Sequence, residues 1–406
     1  MKNIRLPRIG LLGRVIIAIA AGIGAGFIFP LWAARLAATF NAVFSSFLSF
    51  TIPLLIVGFV APAIADIGRR AGAMLAVTVL IAYLMTLASG ALAYCTGSLA
   101  FPPLLGADSY VAAFETSAAG DPQPFFTIAI EPLMTVMTAL VLAFTIGFGC
   151  AVIPSATTVR RFLDDFRDII KLVIGKVIVP LLPFYIFGIF LNMTVAGTVG
   201  TILTTFIKII AVIFVLHVGL LVAQYCLASL FSRRNPFKAL WTMMPAYFTA
   251  LGTQSSAATI PVTLERTVAM GVNRDVAGFV IPLCATIHMS GSTLKIVACA
   301  LALMMVRGMP HDFAIFAGFT AMLGITIVAA PGVPGGAIMA SLGLLSSMLG
   351  FSEADNAMMI ALYIAMDSFG TACNITGDGA IAQIVERIFR SSKKRVNPAG
   401  VGGGSC

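Results

Sequence analysis

The stretch AMDSFGTACNITGDGAIAQIV (365–385) sets Asp367 and Asp378 inside an apolar segment that follows FSEADNAMMIALYI. At about 100° per residue, Asp367, Gly370, Thr371, Asn374 and Asp378 fall at i, i+3, i+4, i+7 and i+11, which is one stripe of one helix. A polar stripe on an apolar helix must face protein or water. Ionisable residues in such a place mark functional sites.

The surroundings are those of a lipid bilayer. Of 406 residues, 59% are hydrophobic and 10% charged, against roughly 25% charged in a soluble domain. The chain reads as an all-α polytopic membrane protein. Runs of ~20 apolar residues, each long enough to cross ~30 Å of hydrocarbon, predict eight transmembrane helices at 11–31, 38–66, 71–100, 125–153, 168–197, 200–231, 276–306 and 355–388. Two further apolar stretches, 240–264 and 314–350, are interrupted by Gly, Pro and Ser.

Lysine and arginine set the orientation, because basic loops stay cytoplasmic. With a cytoplasmic N-terminus, 20 of the 25 basic residues fall on the inner side, provided that both interrupted stretches enter and leave on one face. They are then re-entrant helical hairpins, one from each side. Both termini are cytoplasmic, and the setting is the cell (inner) membrane, with lipid as a partner. The net charge of +9 is a topology signal and not a nucleic-acid footprint. The seven cysteines show no disulfide or metal spacing.

Every backbone polar group in hydrocarbon needs a partner, so irregular chain survives there only inside protein or along a wet cavity. Such chain occurs at GTQSSAATIPV (252–262) and AAPGVPGGAIM (329–339). Each precedes a span with its own polar cluster, HMSGS (288–292) and NITGDG (374–379). A hairpin-then-helix unit that occurs twice, from opposite faces, is the pattern of inverted repeats with a solute site at their interface.

SSAATIPVT, PLCATIHMSGS, PGVPGG and NITGD, in this order, resemble the dicarboxylate/amino acid:cation symporter family, the glutamate-transporter homologues. The likeness covers essentially the whole chain. It implies a homotrimer in which a core transport region moves, elevator-fashion, against a fixed scaffold. It divides the chain into two scaffold helices (1–70), a third helix with an external loop (71–124), scaffold helices four and five with helix six (125–238), the core transport region (239–390) and a cytoplasmic tail (391–406).

By the same resemblance, Ser255 and Ser256 sit at the first hairpin tip, and Val333 and Gly335 in the second, which gates. Asp367 takes the amino group of a small-molecule amino acid substrate and Asn374 its carboxylate, with Gly370 and Thr371 beside them. Asp378, with backbone carbonyls of Cys284, His288 and Asn374, holds a sodium ion, in keeping with the oxygen shells of hard cations. A proton is the alternative coupling ion.

The sequence departs from the family in two places. Acidic-substrate members carry an arginine where this chain has Gly370, and without that planar fork a side-chain carboxylate lacks its anchor. Glycine also opens space, so the expected substrate is a neutral amino acid, with a dicarboxylate as the alternative. The usual Asn-Met-Asp-Gly-Thr is replaced by His288, Met289, Ser290, Gly291 and Ser292. A second cation site loses its carboxylate at Ser290, although Tyr83 and Thr86 of that site remain. Lys295, seven residues after His288, either supplies a built-in positive charge where relatives bind an ion, with His288 as a proton-responsive neighbour, or simply meets one carboxylate.

Enzyme chemistry fits poorly. An intramembrane aspartyl protease needs two carboxyls sharing a proton, and eleven helical residues separate Asp367 from Asp378 by ~16 Å. A channel would tolerate weak multi-site binding, whereas these groups compose a closed site for one solute.

Overall fold

The computed structural model describes residues 10–69, 73–105, 122–328 and 335–396. In chain order the helices are α1 (Leu11–Ile28), α2 (Leu31–Arg69), α3 (Ala73–Leu105), α4 (Val136–Val152), α5 (Thr157–Val173), α6 (Val179–Val195), α7 (Val199–Ser232) and α8 (Pro236–Thr253). They continue as α9 (Ser256–Ala269), α10 (Arg274–Ile287), α11 (Ser290–Val306), α12 (Phe313–Val328), α13 (Gly336–Leu349), α14 (Glu353–Ala365) and α15 (Asp367–Val396). Among the described residues there is no strand.

Six helical stretches are long and apolar enough to cross a membrane: 11–28, 31–65, 73–105, 157–195, 199–232 and 274–306. The bent pair α14–α15 makes a seventh. The expected span at 125–153 is helical only over α4. Its first residues lack helix; α4 begins at Thr135, whose side chain accepts the Thr138 amide. The span expected from 168 instead starts at Thr157 and passes through a π-helical turn, Ile174–Ile178, into α6. Pro180, at the start of α6, has no N–H for the regular ladder.

Both interrupted stretches are helical hairpins. Asn235 caps α8 through the Lys238 amide, and Pro236 takes the first helical position, where its missing donor costs nothing. Gln254 turns the chain in the left-handed region (φ 53°), and Ser255 caps α9. In the second hairpin, Gly335 (φ 76°) leads into α13, a conformation glycine adopts without strain.

Two long spans are broken where single helices were expected. Span 276–306 parts at His288 and Met289, and span 355–388 bends by 62° at Met366. The first break sits inside the HMSGS cluster, and the second immediately precedes Asp367, the first residue of the polar stripe. In the packing, α1 lies against α6, and α2 against α4, α5 and α6. A second layer gathers α7, α8, α9, α10 and α11 around α15, with α3 along α11. The two breaks meet in the centre of that second layer.

Candidate functional site

A broken helix exposes amides at its new N-terminus, and these demand acceptors. At the start of α11, Asn374 Oδ1 accepts the amides of Gly291 (2.8 Å) and Ser292 (3.3 Å). Its Nδ2 donates to Ser292 Oγ at 3.2 Å. Asn374 therefore spends its amide group capping a helix. Gly291 permits the approach: a Cβ there would stand 2.7 Å from Cys373 Cβ and 2.8 Å from the Gly370 carbonyl.

Asp367 opens α15, where the helix dipole favours a carboxylate. Its Oδ2 accepts the Gly335 amide at the second hairpin tip at 2.8 Å. Its Oδ1 lies 3.1 Å from Lys295 Nζ, which also donates to the Met366 carbonyl (3.4 Å) and stands 3.5 Å from the centre of the Tyr363 ring. Lys295 is 0% exposed and Asp367 6%. An ammonium bracketed by carboxylate, carbonyl and ring face is fully provided for.

The glycine at 370 does not open space. A Cβ at that position would lie 2.7 Å from both Cε and Nζ of Lys295, so the lysine fills the volume that the expectation left to the substrate. Lys295 meets a single carboxylate, that of Asp367.

About three turns along α15 from Asp367, Asp378 Oδ1 lies 2.9 Å from His288 Nδ1, both side chains being fully buried. That nitrogen donates to the carboxylate. The far side of the ring faces Gln224, whose Nε2 lies 3.5 Å from His288 Nε2 and donates to Ser290 Oγ at 3.0 Å. Gly377 makes room, since a Cβ there would meet Gln224 Oε1 at 2.6 Å and His288 Cε1 at 2.7 Å. Two buried oxygens flanking this ring, Asp378 Oδ2 and Gln224 Oε1, have no hydrogen-bond partner.

Those orphaned oxygens bear on the expected sodium ligands. Asp378 Oδ2 and Gln224 Oε1 are acceptors of the kind a hard cation takes. The Cys284 carbonyl accepts the His288 amide at 2.8 Å, and the His288 ring lies against Asp378 Oδ1. Asp378 Oδ2 and Gln224 Oε1 are of the donor type that fits a cation; the carbonyls of Cys284, His288 and Asn374 remain the expected further ligands.

Other expected residues are distributed differently. Ser255 and Ser256 are half-buried at the first hairpin tip, with Ser255 Oγ occupied by the Ala258 amide. Thr371 is half-buried one turn after Asp367. Val333 lies outside the described residues. Tyr83 donates to the Ala321 carbonyl of α12 at 3.1 Å, and Thr86 to its own helix at Ala82. Ser290 is bonded to Gln224 instead, so Tyr83, Thr86 and Ser290 are not joined in one site by any of these bonds.

Sequence reasoning missed Gln224, His217, Tyr225 and Tyr363. His217 Nε2 lies 3.1 Å from the Gly291 carbonyl, and Tyr225 donates to the Thr376 carbonyl at 2.8 Å. The signal was present in α7: His217 and Gln224, seven residues apart in an apolar run, share a helical face.

The chain is similar over most of its length to known transporters. Serine/threonine transporters SstT of Acinetobacter baumannii strains AYE, AB307-0294 and AB0057 are each 28% identical over 388 residues, 91% of this chain and 95% of the relative. The family and these relatives are transporters and not enzymes. The sequence profile of the family matches residues 11–388, and the chain therefore belongs to the sodium:dicarboxylate symporter family.

Proposed function

We propose that this protein is a secondary active symporter that carries a small neutral amino acid across the cell membrane, coupled to a sodium ion. Three things support a zwitterionic cargo. Asp367 is a buried carboxylate bonded to the second hairpin, and it already holds one ammonium, that of Lys295, at 3.1 Å. Position 370 carries no guanidinium, and the lysine beside it is committed to Asp367. The relatives whose names state a substrate carry serine and threonine.

The single observation that carries this reading is the Gly335–Asp367 hydrogen bond at 2.8 Å, which joins a mobile-type hairpin to the carboxylate that meets the cargo. Transport then follows the elevator route: α8 to α15 move as a unit against α2, α4, α5 and α6, in a trimer. Sodium docks at Asp378 Oδ2, with Gln224 beside it. Protons are the second reading, favoured by the His288–Asp378 pair.

Uptake of radiolabelled amino acids into proteoliposomes, run separately under sodium and proton gradients, tests both. Accumulation of serine, threonine or alanine under a sodium gradient is expected. Strong aspartate uptake overturns the neutral assignment, and uptake driven by protons without sodium overturns the ion.

A further inference from the structure

Lysine deep in a membrane protein is expensive: about 3 kcal/mol at a helix centre even on insertion scales. Here it is also enclosed by protein, since Lys295, the sixth residue of α11, is 0% exposed. Its Nζ is held by the Asp367 carboxylate, the Met366 carbonyl and the Tyr363 ring. The ring is itself anchored, with Tyr363 donating to Ser292 Oγ at 3.1 Å. The absence of a side chain at Gly370 is what admits Cε and Nζ. Five residues on three helices thus build an ammonium site, and the protein fills it with its own ammonium.

The charge balance of the core gives this arrangement its meaning. The buried carboxylates of α14 and α15 each have a basic partner: Asp355 with Arg307, Asp367 with Lys295, Asp378 with His288 and Glu386 with Arg234. Of the two in the site's centre, only Asp367 is met by a lysine. A bare carboxylate at that depth would have to recruit a mobile cation before the region could move through hydrocarbon.

We infer that Lys295 is a tethered counter-ion that occupies the ammonium subsite at Asp367 and stands in for a mobile monovalent cation there. The empty transport region is then neutral at Asp367 and recrosses the membrane without an ion at that carboxylate. An arriving substrate ammonium competes with Nζ for Asp367 Oδ1. The inference rests on the proposed function for its physiological meaning, though the counter-ion role itself needs no substrate to be tested.

The test is thermal unfolding of the purified full-length protein in detergent, without amino acid, in choline chloride and then in sodium or potassium chloride. The wild type gives a baseline shift from any other cation site. Lys295→Met, which keeps the volume and removes the charge, is expected to add at least about 3 °C of sodium- or potassium-dependent stabilisation above that baseline. Lys295→Arg adds none, and neither does Lys295→Met combined with Asp367→Asn. Gly370→Ala, which pushes Nζ off the carboxylate, adds a smaller shift of the same sign.

An equal cation response in wild type and Lys295→Met overturns the inference. If Lys295→Met does not fold, rescue by Asp367→Asn in the double variant supports it, because the fault then lies in the unpaired carboxylate. A double variant that fails equally overturns it, because the fault then lies in packing. Failure of the amino acid assignment would appear separately, as a wild type that takes up no amino acid in liposomes while these thermal shifts stand.

Discussion

Side chains at 370 and 295 are chosen together: a methyl at 370 would collide with the Lys295 terminus, and a shorter residue at 295 would leave Asp367 without its cation. The same complementarity joins Gly377 to His288 and Gln224. The stripe of polar residues on α15 was legible because helical periodicity alone aligns it. The partners were not, because Lys295 and Asp367 lie 72 residues apart and nothing local ties them. His288 shows the same limit: its place near Asp378 was expected, yet through a backbone carbonyl, whereas the ring makes the contact.

Two outcomes follow for single residues. His288→Ala removes the donor from Asp378 Oδ1 while Oδ2 is already without a partner. Breaking one side of such a buried pair costs about 3–5 kcal/mol, and denaturant unfolding in detergent will show it, with more than half recovered in His288→Ala/Asp378→Asn. Gln224→Leu leaves the ring and Ser290 Oγ without their amide donor. It is expected to weaken sodium affinity, measured by uptake at varied sodium, at least tenfold if Gln224 Oε1 joins the ion.

Helix breaks decide what the elements do. The hairpins were visible from Gly, Pro and Ser, because those residues carry local turn chemistry. The breaks at His288–Met289 and Met366 were not, since neither carries a proline and the length of each run suits a continuous helix, so that only the demand of neighbouring elements opens them. What holds the first open is side-chain capping. Asn374→Ala withdraws the acceptor from the Gly291 and Ser292 amides, a loss of ~1–2 kcal/mol for a helix cap. Hydrogen exchange at residues 290–294 is expected to accelerate by about tenfold or more, while exchange in α1 and α6 stays unchanged. Gly291→Ala inserts a methyl against Cys373 and the Gly370 carbonyl; overpacking of about 1–3 kcal/mol is expected to lower the melting temperature without changing the cation response.

Across the whole molecule, composition and the length of apolar runs were sufficient for the class and for most spans. They failed on lengths, because α4 is shorter than its apolar run and α5 begins earlier than hydropathy allows. Distant loops are stitched together at one end of the second layer. Arg234, after α7, donates to the Gly271 carbonyl and to Glu386 Oε2, and Glu386 Oε1 accepts the Asn273 amide at 2.9 Å. Glu386→Ala is expected to free residues 271–274 from this clamp, read as faster proteolysis or hydrogen exchange in the α9–α10 turn, with little change in sodium dependence.

Under the proposed reading, the bond between the Gly335 amide and Asp367 Oδ2 makes the door and the berth one object. Any solute that draws both carboxylate oxygens toward itself must loosen the door, and any wedge that props the door ajar leaves one lone pair hungry. Blockers built to lodge behind the second hairpin should therefore gain from carrying a donor that replaces the displaced amide, and those lacking one should bind weakly however well they fill the gap.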